Sequence, residues 1–182
     1  MNKITTIVWD WNGTLLNDVD LCLHTINRLL GKRELPLLDH DSYQRVFQFP
    51  IIDYYRKAGF DFDKEPFETL AHEYMSYYQP HSWSCPLHVH AKEMLEHFRA
   101  QGKHQVLLSA SRLDLLQEQL THYPLTGCFE EILGISDVYA HSKADLAKRY
   151  VSESGKKPQE IVFIGDSVHD YEVASNAGCR CI

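Results

Sequence analysis

The chain has 182 residues, 44% hydrophobic and 24% charged, a balance that suits one domain or a domain with an insertion and excludes wholesale disorder. Its formal net charge of −7, from 18 Lys and Arg against 25 Asp and Glu, argues against a general nucleic-acid binder, which would carry a clustered basic face. No apolar run approaches the roughly 18 residues of a membrane-spanning helix, the first residues show no signal-peptide pattern, and the five scattered cysteines lack zinc-finger spacing. The expectation is a cytoplasmic protein with reduced thiols that binds neither nucleic acid nor membrane. Its oligomeric state is not encoded in any readable pattern.

In chain order, residues 4–9 (Ile-Thr-Thr-Ile-Val-Trp) are β-branched and aromatic and read as a buried parallel strand. From 17 to 84 the pattern changes, with Leu21, Thr25, Arg28 and Leu29 and later Phe67, Leu70, Tyr74, Tyr77 and Tyr78 at helical spacing, and breaks at Gly31, Pro36, Pro50, Gly59 and Pro80. This stretch reads as a helical insertion whose aromatic stripe is its own core. Strand character returns at 104–108 and 161–164, and more weakly at 131–133. Helical patterns follow at 113–120, 144–151 and 168–177, the last stopped by Gly178. Residues 179–182 look like the start of another strand. Alternating strands and helices predict an α/β fold with a doubly wound parallel sheet. The predicted core is 1–16 with 85–182, and the predicted helical insertion is 17–84.

In such a sheet, functional groups gather beyond the carboxyl ends of the strands. That rim receives Asp10 after the first strand, Ser109 after the second and Asp166 after the strand at 161–164, with Lys143 just before a helix. The Ser109 hydroxyl, the Lys143 ammonium and the backbone N–H groups of the Trp11-Asn12-Gly13-Thr14 turn are donors suited to phosphate oxygens. Asp10, Asp166 and Asp170 work against a bound dianion, since like charges 4 Å apart repel by about 4 kcal/mol at an effective dielectric near 20. A hard divalent cation with oxygen ligands, Mg2+, resolves the conflict. Asp10 is then placed to attack phosphorus and form an aspartyl phosphate that water hydrolyses.

These motifs carry a family resemblance. Val8-Trp9-Asp10-Trp11-Asn12-Gly13-Thr14-Leu15 resembles the first motif of the haloacid dehalogenase superfamily, Leu107-Leu108-Ser109 its second, Lys143 its third, and Ile164-Gly165-Asp166-Ser167 with Asp170, Ala174 and Ala177-Gly178 its fourth. The four occur in order from Val8 to Gly178, and the phosphoglycolate phosphatase-like group is the most similar. The resemblance implies a Rossmann-like core, an inserted helical cap at 17–84 and a Mg2+-dependent phosphatase acting on a small-molecule phosphate ester. It implies Asp10 as nucleophile and metal ligand, Asn12 as a metal ligand through its backbone carbonyl, and Ser109 with Ala110 as phosphoryl holders. Lys143 would orient Asp10, contact the phosphoryl group and balance charge. Asp166 would be a direct metal ligand, with Asp170 a further ligand or a helix N-terminal carboxylate.

Position 12 departs from the family, whose phosphatases usually carry an aspartate there as general acid and base. An asparagine cannot shuttle a proton, and that role is worth about 10²–10⁴-fold in rate. Three outcomes follow: slow turnover of alkyl phosphates, a preference for leaving groups that need no protonation, or an acid borrowed from elsewhere, His169 being nearest in sequence. Two other classes compete. A phospho-accepting signalling receiver would share Asp, Ser and Lys at strand ends but would lack the insertion. A non-catalytic phosphate-binding or regulatory protein is compatible with Asn12. Within the insertion, Arg28, Arg45, Gln48, Arg56 and the Phe49-Pro50 turn are the residues predicted to select the substrate.

Overall fold

Short apolar runs with no polar alternation need cover on both faces, and the sheet they form is parallel throughout. A computed structural model, describing residues 3–125, 127–135 and 142–182, places five strands: β1 (Thr6–Trp9), β2 (His104–Arg112), β3 (Glu131–Ile135), β4 (Ile161–Ile164) and β5 (Arg180–Cys181). Their order is β3-β2-β1-β4-β5, so the first strand is central. All pairs are parallel, and Trp9 stands opposite both Leu107 and Ile164. That register sets Asp10 level with Leu108 and Gly165, so Ser109 and Asp166 follow one position further along the same rim.

The helices are α1 (Val19–Lys32), α2 (His40–Val46), α3 (Ile51–Ala58), α4 (Phe67–Ser82), α5 (Ala91–Ala100), α6 (Leu113–Leu120), α7 (Lys143–Glu153) and α8 (Val168–Asn176). By its contacts the chain divides into two units, the residues up to Asn17 with Pro86–Ile182 as one and Asp18–Cys85 as the other. The division falls one residue later at each crossing than the sequence pattern suggests.

In the α/β unit, alternate strand residues face opposite layers. Val8, Val106, Leu108, Ile161 and Phe163 pack with Leu146, Ala147 and Tyr150 of α7 and with Val173 and Ala174 of α8. Trp9 points the other way and its indole N–H donates to Gln105 Oε1 at 3.0 Å. Gln105 Nε2 in turn donates to the carbonyls of Leu95 (2.9 Å) and Cys128 (3.2 Å), so a buried amide is satisfied.

The helical unit has a separate core of Ile26, Leu29, Leu30, Tyr43, Tyr54, Tyr55, Phe60 and Leu70, with Tyr74 packed against it. Arg33 reinforces it, donating through Nε and Nη2 to the two carboxylate oxygens of Glu65 (2.6 and 2.7 Å) and to Glu73 (2.8 Å). Among the described residues, no helix is long and apolar enough to cross a membrane.

Two boundary expectations are corrected. The second strand does not stop at 108 but runs to Arg112, because Arg112 pairs with Ile135 of β3 beyond a register shift. Lys143 does not precede its helix but is the first residue of α7, after the N-cap Ser142, whose side chain accepts from Asp145 N at 3.2 Å.

Candidate active site

The loop after β1 is held from below. Trp11 is fully buried, donates its indole N–H to Gln119 Oε1 of α6 at 2.6 Å and meets Tyr123 edge-on, with ring centroids 5.4 Å apart. Its carbonyl accepts from Leu15 N (3.0 Å) and Leu16 N (2.9 Å), closing a tight turn. Gly13 sits in that turn at φ +78°, where a Cβ would lie 2.5 Å from Asp166 Oδ2. Only glycine allows the first loop to approach Asp166 this closely.

The carboxylates converge on Lys143, whose side chain is 5% exposed and whose ammonium joins Asp10 Oδ1 and, at 2.5 Å, Asp170 Oδ1. Asp170 occupies the third position of α8, and its other oxygen accepts from Ser167 Oγ (2.6 Å) and Ser167 N (3.1 Å) in a capping box. It therefore serves both as a helix N-terminal carboxylate and as a partner of Lys143. Gly165 leaves room for it, since a Cβ there would strike the Asp170 side chain. Thr14 Oγ1 donates to Asp166 Oδ1 at 2.8 Å and stands 3.2 Å from Asp10 Oδ2.

On the β2 side, Ser109 is buried and its hydroxyl accepts from Ser111 N at 3.1 Å. Ser111 Oγ donates to Asn12 Oδ1, also at 3.1 Å. The structure thus brings Asp10, Lys143, Asp166 and Asp170 into one cluster, with Asn12, Ser109 and Ala110 on the same rim. The hydroxyls of Thr14 and Ser111 received no role from the sequence. A signal for Ser111 exists: two residues past Ser109, it shares that residue's face of the strand.

Burial dominates the electrostatics of Asp10 and, against the attraction of Lys143, pushes its carboxyl up to about 7. Asp170 is buried too, but Lys143 and the Ser167 donors outweigh that and hold it below the usual carboxylate value. Burial works against a charged Lys143, yet Asp10 and Asp170 together keep its ammonium above the ordinary lysine value. Three carboxylates against one ammonium leave an excess of negative charge when all are ionised. Asp10, Asp166 and Asp170 each present an oxygen within 4.8 Å of the others, and this all-oxygen donor set suits a hard divalent cation.

Comparison with known proteins decides the family. The model of the haloacid dehalogenase-like hydrolases matches residues 7–182, which takes in all four motifs and the cluster. The chain belongs to the haloacid dehalogenase-like hydrolases. This hydrolase is 24% identical over 196 aligned residues to the pyrophosphatase PpaX of Bacillus mycoides, covering 99% of this chain and 83% of that protein. Its fold matches a haloacid dehalogenase-like hydrolase from Streptococcus pneumoniae with a TM-score of 0.84 at 20% identity, over 100% of this chain and 84% of that one. A predicted phosphoglycolate phosphatase from Haemophilus somnus gives a TM-score of 0.78 at 22% identity, over 100% and 85% of the two chains.

Of the residues expected to select a substrate, Arg28, Gln48 and Arg56 are engaged inside the helical unit. Arg28 lies 4.1 Å over the Tyr77 ring, and Arg56 pairs with Asp53 at 2.7 Å. Gln48 accepts from Lys57, and Arg45 is exposed. His169, in the first turn of α8, has its Nδ1 4.0 Å from Glu172 Oε2. Burial, and then the charge of Lys143, hold its imidazole below the ordinary histidine value.

Proposed function

We propose that this hydrolase is a Mg2+-dependent phosphatase of a small phosphorylated metabolite and that it works through an aspartyl phosphate on Asp10. The observation that carries the reading is Lys143, buried and shared by Asp10 and Asp170 at the end of the central strand. A surface ion pair needs no such burial, whereas a nucleophilic carboxylate needs a fixed orientation and a charge balance that substrate can complete.

Asp10 attacks phosphorus with a carboxylate oxygen while Lys143 keeps the carboxylate oriented. The phosphoryl oxygens take hydrogen bonds from the Ser109 hydroxyl, the Ala110 backbone N–H and the Lys143 ammonium. Asp10, the Asn12 carbonyl, Asp166 and Asp170 would hold a divalent cation, which when bound would neutralise charge on the transferring group. Trp11, locked on Gln119, and Gly13, packed on Asp166, hold the loop that carries Asp10 and Asn12. Selection of the substrate we assign to the helical unit acting as a cap. Pyrophosphate and phosphoglycolate, the substrates in the names of two relatives, are the first to assay.

The test is hydrolysis of p-nitrophenyl phosphate with Mg2+, wild type against Asp10→Asn. Asp10-dependent release of nitrophenolate is the expected result. Near-native turnover by Asp10→Asn removes Asp10 from the chemistry. Phosphate binding without turnover by the wild type supports instead a non-catalytic, regulatory protein, which Asn12 allows.

A further inference from the structure

We infer that a bulge in β2, seated on Gly134 of β3, aims the Ser109 hydroxyl at the phosphoryl group. Gly134 and the backbone of Ser111 are thereby positioning residues for the reaction. The inference rests on Ser109 holding the phosphoryl group and deepens that reading.

β2 and β3 pair regularly as far as Leu108 and then resume out of step. Leu108 stands opposite Leu133 and Arg112 opposite Ile135, so Ser109, Ala110 and Ser111 all face the single residue Gly134. Extra residues in one strand of a pair bend that strand and re-aim its side chains, and such bulges recur beside active sites. This one falls where β2 reaches the rim that carries Asp10.

Two contacts set its shape. From within, Ser111 turns its N–H back onto Ser109 Oγ at 3.1 Å. From β3, Gly134 is buried and packs so closely that a Cβ on it would lie 2.9 Å from the Ser111 carbonyl oxygen and 2.8 Å from Leu113 Cα. Both are backbone atoms, which cannot swing aside as the tip of a side chain can. A side chain at 134 therefore pushes the Ser111 backbone outward and draws its N–H away from Ser109.

Ser109 is where this displacement matters. It is 1% exposed, its oxygen takes the Ser111 N–H, and among the described residues no group accepts its proton. A hydroxyl proton rotates to suit its surroundings, so an oxygen occupied on one side leaves the proton for whatever enters on the other. A buried donor without an acceptor is costly, and a charged phosphoryl oxygen is an acceptor that removes the cost. Fixed in advance, the O–H needs no reorganisation when the phosphoryl group arrives.

The experiment measures the inhibition constant of inorganic phosphate against p-nitrophenyl phosphate hydrolysis, with Mg2+ affinity taken separately by calorimetric titration. Ser109→Ala should raise the phosphate constant about 10-fold or more, the worth of a hydrogen bond to a charged group. Gly134→Ala should raise it about 3- to 10-fold while Mg2+ affinity moves by less than about 2-fold. In a Ser109→Ala background the same change should add less than about 2-fold, since the hydroxyl it misdirects is gone. Ser111→Pro, which deletes the N–H, should exceed Ser111→Ala, which deletes only the side-chain hydroxyl, by about 3-fold or more.

A wild-type phosphate constant in Gly134→Ala overturns the inference, as does an effect kept in full in the Ser109→Ala background. So does an equal loss of Mg2+ affinity, or a Gly134→Ala chain that circular dichroism shows unfolded; either makes Gly134 a residue of the fold alone. Equal constants for Ser111→Pro and Ser111→Ala overturn the role of the Ser111 N–H. A wild-type phosphate constant in Ser109→Ala, or no turnover by the folded wild type, defeats the underlying reading as well.

Discussion

Lys143→Met keeps most of the side chain's volume and deletes the ammonium that joins Asp10 to Asp170. The three side chains are 5%, 10% and 5% exposed, so solvent cannot take over the lost partner. Removing one member of a buried pair leaves an uncompensated charge and costs about 3–5 kcal/mol, against about 0–1 kcal/mol for an exposed pair. Asp170 keeps its two Ser167 donors, whereas Asp10 is left with the longer 3.2 Å contact to Thr14, so Asp10 carries most of the penalty. The sign with pH follows. Burial already pushes the Asp10 carboxyl up to about 7, and losing Lys143 pushes it further. A folded-state value above the unfolded one is a contribution that vanishes as pH rises, so the deficit of Lys143→Met is larger at pH 8 than at pH 5. Urea unfolding in Mg2+-free buffer, followed by the fluorescence of Trp9 and Trp11 on either side of Asp10, measures it. Adding Asp170→Asn should return part of the loss, because it removes one of the stranded charges. A deficit under about 1 kcal/mol at pH 8, or one that shrinks with rising pH, would refute the view that Lys143 compensates buried carboxylates.

Other consequences can be checked separately. Gly13→Ala places a methyl 2.5 Å from Asp166 Oδ2 at φ +78°; calorimetric titration with Mg2+ should show affinity about 10-fold lower or worse, and an unchanged affinity contradicts the placement of Asp166 in the cation site. Trp11→Phe strips Gln119 Oε1 of a 2.6 Å buried donor and should cost about 1–3 kcal/mol in urea unfolding beyond the lost ring volume, with Trp11→Phe/Gln119→Leu recovering part of it. Burial pushes the Cys85 and Cys179 thiols up to about 11; at pH 8 their alkylation by iodoacetamide should be roughly 100-fold slower than that of a free thiol and should reach the free-thiol rate in urea.

How far the sequence could be read depended on how local the determining physics was. The strand at Ile161–Ile164 and the helix at Leu113–Leu120 appear in the structure with the bounds their apolar patterns suggest, since a continuous apolar run and a three-to-four spacing are local signals. The end of β2 was hidden because Ser109, Ala110, Ser111 and Arg112 are polar or small; Arg112 pairs with Ile135 of β3 beyond a register shift, and only the neighbouring strand supplies the reason. The rim residues Asp10, Ser109 and Asp166 were legible because parallel strands deliver their carboxyl ends to one edge. Thr14 was not, since its partner Asp166 lies 152 residues away. Asp170 presented two readings, a further metal ligand or a helix N-terminal carboxylate; the structure shows one oxygen capping α8 and the other meeting Lys143, a partner that neither reading named. Arg28 and Arg45 looked available for an anion; Arg28 is engaged by the Tyr77 ring within the helical unit, whereas Arg45 is exposed. Such short-range uses leave no trace in spacing alone.

Asp10, as the proposed nucleophile, should itself carry the phosphoryl group during turnover. Rapid mixing with acetyl phosphate and Mg2+, borohydride reduction of any acyl phosphate and peptide mass spectrometry locate the phosphoryl group directly. Reductive conversion of Asp10 to homoserine is expected in the wild type and none in Asp10→Asn. Phosphate release in the same reaction with residue 10 left as unmodified aspartate, or a phosphoryl group trapped on a different side chain, would contradict it.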